Sequence, residues 1–300
     1  METREILKKV KRIEIRTSRI VNSVFSGEYH SSYKGRGMEF DEVRQYSAGD
    51  DYRSIDWNVT ARMNSPYIKR YREERELTCI ILYDASSSNE FGTVSALKGE
   101  VAAEVAALIS FSAIKNNDKI GLIIFTDQVE KYIPPKKGRD HVLRVIRELL
   151  FFRTVNRSTD IRSAVDFLNR IVRRRGNVFL ISDMISPDFQ GPLKIAAEKH
   201  DFTAIKITDP REINLPDVGL IEFEDAETGE HIIIDTHDEA FRKNFRRSGM
   251  LEDIELEKFF RRLSVSFINL QSDRNYFDDL VLFFRKKLKS RLKKPVRVPA

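Results

Sequence analysis

The chain has 300 residues, is 41% hydrophobic and carries a net charge of +6 at pH 7, enough apolar material for a sizeable core in one or two domains. Its single cysteine, Cys79, excludes an internal disulfide framework and a multi-cysteine zinc site, and a reducing, cytoplasmic compartment is expected. No stretch approaches the ~20 apolar residues of a membrane helix, and Met1 to Lys9 lacks the apolar core of a signal peptide, so no transmembrane segment is expected.

In chain order, Ile6, Val10, Ile13, Ile20 and Val24 recur at helical spacing and predict an amphipathic helix, which Gly27, Gly35 and Gly37 then interrupt. From Gly35 to Glu76 the chain is dense in charge and aromatics. Turn signals at Ala48-Gly49-Asp50-Asp51 and Asn64-Ser65-Pro66 predict short strands and loops there. Asp50, Arg53, Asp56 and Arg62 gather around the only tryptophan, Trp57. One reading is a salt-bridged hairpin whose buried Trp57 packs on the next domain, with Arg53 or Arg62 paired to an acid. The other is a partner-docking surface built on Arg53, Trp57 and Arg62, since Trp and Arg dominate interface hot spots. The two are compatible.

From Leu77 strands alternate with helices. Leu77–Tyr83, Lys119–Thr126, Asn177–Ser182 and Phe202–Thr208 are near-continuous apolar runs, as in parallel strands covered on both faces. Helices are predicted at Val94–Lys115, Asp140–Phe151, Asp160–Arg173 and Pro192–Lys199. Val129–Ile133 follows its neighbour too closely for a crossover and reads as an antiparallel edge strand. A hairpin is predicted at Ile221–Glu224 and His231–Ile234, then a last strand at Val265–Leu270 and a helix from Tyr276 to Leu292. The expected fold is α/β: a doubly wound, mainly parallel sheet with a helical and charge-rich N-terminal extension. The expected organisation is 1–76, then a sheet domain over 77–292 with a hairpin insertion near 218–236, then a basic tail over 293–300. The basic excess sits at the two ends while the middle is acidic, which argues against a nucleic-acid groove there. Between Arg285 and Arg297 there is no acidic residue, and a solvated basic helix end is expected.

As the chain leaves the first of these strands it reads Asp84-Ala85-Ser86-Ser87-Ser88. In extended backbone Asp84, Ser86 and Ser88 face the same way. One carboxylate and two hydroxyls suit a small hard cation, Mg²⁺ or Mn²⁺, and leave much of its charge uncompensated. Right-handed crossovers bring all the parallel strand ends to one rim, where Thr159 and Asp183 also fall. Asp127 and Asp209 end strands on that rim and are expected to cap turns. The five histidines show no metal-motif spacing, and there is no P-loop.

Asp84-x-Ser86-x-Ser88, with Thr159 in a later loop and Asp183 at a later strand end, resembles the metal-ion-dependent adhesion site of von Willebrand factor A domains. That resemblance implies a von Willebrand A-like, Rossmann-like fold, a cation held by all five residues, and a partner protein's carboxylate completing the shell. Asn89 departs from the Met many members carry, at a position that is not a ligand. Upstream, Gly37-Met38-Glu39-Phe40, Arg44-Gln45-Tyr46, Gly49-Asp50, Arg53, Ile55-Asp56-Trp57, Thr60-Ala61-Arg62 and Glu73 or Glu74 resemble the signature of the bacterial family called domain of unknown function 58. Its members are von Willebrand A-like proteins typically encoded beside MoxR-type AAA+ ATPases. The resemblance implies a cation-dependent binding module acting with such an ATPase in assembly or maturation of another protein, and not an enzyme. The alternative from a different class is a Mg²⁺-dependent phosphohydrolase with Asp84 as nucleophile; such enzymes usually carry a second acid two residues on, where this chain has Ser86.

Overall fold

A computed structural model of the chain describes residues 39–47, 49–63, 65–72, 77–86, 97–153, 158–224 and 231–292. The amphipathic helix predicted near the N-terminus and the 293–300 tail lie outside them. The chain divides into two compact units between Leu77 and Thr78.

In the first unit, β1 (Glu39–Gln45) pairs antiparallel with β2 (Tyr67–Arg72). Between them come a 3-10 turn (Tyr52–Ser54) and a short helix, α1 (Trp57–Met63). The buried Asp56 accepts the Asn58 and Val59 N–H groups at 3.0 and 3.3 Å and so starts that helix. Two expectations are corrected here. Trp57 is 70% exposed rather than buried, because it opens a seven-residue helix of about two turns, none of whose residues is buried. The ion pair belongs to Arg44 and Asp50, at 2.6 Å, whereas among the described residues neither Arg53 nor Arg62 is paired to an acid. The Arg53 guanidinium instead sits over the Tyr52 ring, 5.7 Å from its centroid.

The second unit is built on a six-stranded sheet. Its strands are β3 (Thr78–Asp84), β4 (Lys119–Phe125), β5 (Val129–Lys136), β6 (Asn177–Ser182), β7 (Asp201–Thr208) and β10 (Ser266–Gln271). They lie in the order β10-β7-β6-β3-β4-β5, parallel except for β5, which runs antiparallel at one edge. This is the doubly wound arrangement expected from alternating strands and helices, with Val129 opening the predicted edge strand. The predicted hairpin forms from β8 (Leu220–Glu224) and β9 (His231–Asp235), a separate two-stranded sheet.

Both faces of the main sheet are covered, which is why its central strands are apolar throughout. Ile80, Leu82, Val178, Leu180, Phe202 and Ala204 share one face by register. They pack with Ile161, Val165 and Leu168 of α4 (Ile161–Ile171), Leu193 of α5 (Gln190–Lys199) and Phe260 of α6 (Glu239–Arg262). On the other face lies α2 (Lys98–Lys115), most of whose residues are buried. α3 (Arg139–Phe151) packs beside it through Val142, Val145 and Ile146. α7 (Tyr276–Leu292) brings Phe284 against Phe179, ring centroids 6.5 Å apart, and the Tyr276 hydroxyl donates to Glu104. Lys287 departs from the solvated basic end expected of this region: it is buried, paired to Asp201 at 2.9 Å and donating to Thr203 Oγ1 at 2.8 Å. Among the described residues no helix is long and apolar enough to cross a membrane.

At the opposite end of the sheet from the rim, Gly176 admits no side chain: a Cβ there would lie 2.5 Å from the Thr78 carbonyl oxygen. Its N–H donates to Nδ1 of the buried His200 at 3.2 Å. Burial, then the charges of Lys199 and Arg175, pull the His200 pKa down to about 4. A depressed histidine contributes stability that is complete above its ordinary value of 6.5 and is lost as pH falls through about 4. His200→Asn keeps an acceptor for Gly176 without the titration. It should therefore flatten the fall in melting temperature over that window; an unaltered slope would assign acid unfolding to other groups.

Candidate functional site

Asp84 is the last residue of β3, the strand between β4 and β6. The chain turns at once: Ala85 N–H donates to the Phe125 carbonyl at 2.8 Å, and Ser86 N–H donates to Asp84 Oδ1 at 3.0 Å. Three bonds carry Thr159 to the same place. Asp160 N–H donates to the Thr126 carbonyl at 2.8 Å, Ile161 N–H donates to Ser186 Oγ at 2.9 Å, and Asp160 caps α4 by accepting Ser163 N–H at 3.3 Å. The loop before α4 is thereby tied to the ends of β4 and β6, and Thr159 Oγ1 stands 3.5 Å from Asp84 Oδ2. Asp183 follows β6 directly, and its Oδ1 accepts Ile185 N–H at 3.1 Å.

Four of the five residues singled out in the sequence therefore meet on one rim: Asp84, Ser86, Thr159 and Asp183, all buried. Ser88 lies outside the described residues. Arg53, Trp57 and Arg62 belong to the other compact unit, on α1 and the turn before it, all three exposed. Asp209 does what was expected of it: it caps the turn Pro210–Glu212, accepting Arg211 N–H at 2.8 Å, while Glu212 Oε2 accepts Asp209 N–H at 3.0 Å.

Two residues of the site are not legible in the sequence. Ser182 Oγ donates to Asp84 Oδ2 at 2.7 Å and accepts Met184 N–H at 3.0 Å. Lys98, the first residue of α2, is 2% exposed, with Nζ 2.7 Å from Glu212 Oε1 and 3.9 Å from Asp183 Oδ2. A serine closing a strand beside an aspartate was a weak signal for the first. For the second there was none, since the helix predicted from Val94 puts Lys98 inside it, where a lysine reads as solvated.

The electrostatics follow from burial. Asp84 is wholly enclosed, which raises its pKa, and the charge of Asp183 raises it further, to about 6, against the hydrogen bonds from Ser86 and Ser182. Two acids held together out of water are costly unless a cation joins them. Among the described residues no three His, Cys, Asp or Glu side chains gather as a metal cluster, so any ion here would depend on hydroxyl oxygens as well. The donors present, two carboxylates and the hydroxyls of Ser86 and Thr159, are all hard oxygens and fit a small divalent cation.

Beyond Asp183 the backbone bends at Met184, which has φ 68°, a left-handed conformation uncommon for a residue with a side chain. The bend leaves Ile185 69% exposed. Asp183, Met184 and Ile185 line an open groove of about 420 Å³ together with Leu256, Phe259 and Arg262 of α6.

The family model described as "Protein of unknown function DUF58" matches residues 42–253. The chain belongs to the DUF58 family. Among DUF58 relatives, the Mycobacterium bovis protein Mb1516 is 31% identical over 275 residues, covering 90% of this chain and 86% of its own length. Among solved structures, BatB from Bacteroides thetaiotaomicron covers 71% of the DUF58 chain and 99% of its own at 16% identity and a TM-score of 0.46. Proximal thread matrix protein 1 from the mussel byssus, in a form with a zinc-occupied MIDAS motif, covers 72% and 48% at 16% identity and a TM-score of 0.38. Both likenesses are weak, and the DUF58 chain's own strand order is what defines its fold.

Proposed function

We propose that this protein is a cation-dependent protein-interaction module and not an enzyme, working in the cytoplasm with a MoxR-type AAA+ ATPase in the assembly or maturation of another protein. The observation that carries this reading is the buried pair Asp84 and Asp183 beside the hydroxyls of Ser86 and Thr159, with the pKa of Asp84 raised by that enclosure. Asp84, Ser86, Ser88, Thr159 and Asp183 would hold Mg²⁺ or Mn²⁺, which when bound supplies positive charge for an acidic residue of the partner. The chain's own part is to orient the two acids: Ser182 and Ser86 bond Asp84, and Ile185 N–H bonds Asp183. The ATPase partner and the process follow from the family resemblance.

One ion-mediated contact is selective but small in area, so other surfaces must add to it. Ile185 and the groove along α6 would receive apolar side chains next to the partner's acid, and Arg53, Trp57 and Arg62 would make a separate contact. Exposure of Trp57 and of both arginines supports that role.

Co-purification with the MoxR-type ATPase, with and without EDTA, is the test. The complex should form with Mg²⁺, weaken when the ion is stripped, and weaken equally for Asp84→Ala or Thr159→Ala. Arg62→Ala should weaken it even with the ion present. Unchanged binding in EDTA would make the ion irrelevant to adhesion.

A further inference from the structure

We propose that Lys98 sets the cation affinity of the rim site by restraining Asp183, so that the ion keeps charge for the partner's carboxylate. This rests on the reading that the site takes a divalent cation.

Lys98 stands where local rules would not place it. It is the first residue of α2, at the positive end of the helix dipole, where a cation is disfavoured. It is also 2% exposed, and a buried ammonium is tolerated only where acids pair with it. Conflict with both local preference and burial at one position marks a residue kept for what it does there.

Its surroundings define that role. Glu212 anchors it, with Oε1 2.7 Å from Nζ, and Glu212 is itself held by accepting Asp209 N–H through Oε2 at 3.0 Å. On its other side Nζ lies 3.9 Å from Asp183 Oδ2. The second oxygen of Asp183 accepts Ile185 N–H. Both oxygens of Asp183 are thus engaged by the protein, one by a full positive charge. An incoming cation must compete with Lys98 for Asp183 and is repelled by it. The ion binds less tightly for this, and retains more of its own charge toward an outside acid.

The charges on the two sides of Lys98 make opposite predictions. Lys98→Met removes the competing charge at similar volume and should tighten the cation. Glu212→Gln leaves Lys98 with Asp183 alone and should loosen it. A simple packing defect would loosen it in both.

The experiment uses the full chain and Mn²⁺, with affinity measured by titration calorimetry and the water bound to the ion by proton relaxation. We expect Lys98→Met to bind Mn²⁺ about tenfold more tightly with lower relaxation per bound ion, as Asp183 displaces water, and Glu212→Gln to bind about tenfold more weakly. Lys98→Arg, which keeps the charge, should stay close to wild type. Equal or weaker binding by a folded Lys98→Met overturns the proposal. Should that variant not fold, wild-type affinity in Glu212→Gln overturns it equally. If the wild type itself does not bind Mn²⁺, the metal reading falls and this proposal with it; if the wild type binds and the variants match it, only the role of Lys98 falls.

Discussion

In the absence of divalent ions at pH 7.5, Asp84→Asn should be more stable than the wild type, by about 2 kcal/mol in urea unfolding. The sign follows from the direction of the shift. Enclosure and the neighbouring Asp183 raise the Asp84 pKa from 3.8 to about 6. An acid with a raised folded pKa contributes stability that is complete below its unfolded value and is lost as pH rises through about 6. At pH 7.5 the wild type must hold two buried charges side by side, and Asn holds one. At pH 5, between the unfolded and folded values, the difference should be smaller, and it should approach zero only as pH falls toward 3.8. Mg²⁺ should then reverse the order at pH 7.5, because it binds the ionised wild type and not the variant. Its stabilising effect on the wild type should grow with pH between 5 and 7.5. A variant that is less stable than wild type in EDTA at both pH values would mean that the hydrogen bonds of Asp84 outweigh its enclosure.

Phe260→Ala should remove about 3–5 kcal/mol of stability. Phe260 is the one buried side chain of α6, fully enclosed, with its ring 5.1 Å from Phe267 of β10 and 5.2 Å from Phe259. Met250, Leu251 and Ile254 of that helix are about half exposed, while Leu256 and Phe259 are partly buried against the same core. Phe260 is thus the side chain of this long helix that reaches deepest into the core, and its loss leaves a cavity there. Hydrogen exchange should rise first over Glu239–Arg262 and β10, with β3 and β6 protected until global unfolding. Met250→Ala, by contrast, should change stability by less than about 0.5 kcal/mol. If Phe260→Ala cost no more than Met250→Ala, α6 would be held by something other than its aromatic contacts. Because Leu256 and Phe259 of α6 line the groove beyond Asp183, a detached helix should also weaken partner binding while leaving cation binding intact.

Several strand and helix limits were legible to within a residue or two, and the reason is local. Asn177–Ser182 and Tyr276–Leu292 form as predicted because a fully buried parallel strand and an amphipathic helix each write their period into consecutive residues. The edge strand was legible from the shortness of its connection, although it extends to Lys136 through Pro134 and Pro135, which an edge tolerates. The charge-rich segment was read less well. Trp57 was expected inside and is exposed, and the pairing expected of Arg53 or Arg62 is made by Arg44, because side-chain pairing in irregular backbone depends on turn geometry that composition does not encode.

Sequence alone was enough for the order of strands and helices, the oxygen-rich Asp84-x-Ser86-x-Ser88 turn, and the family. Each depends on residues close together in the chain, where spacing and period carry the signal. The tertiary structure decided what lies next to that turn. The 2.7 Å bond from Ser182, the approach of Thr159 and the placement of Lys98 between Asp183 and Glu212 join residues from about 75 to 114 positions apart. It also decided that Asp84 is enclosed enough to hold its proton to about pH 6. Burial and charge coupling act through space across neighbouring strands, and no period along a single segment records them.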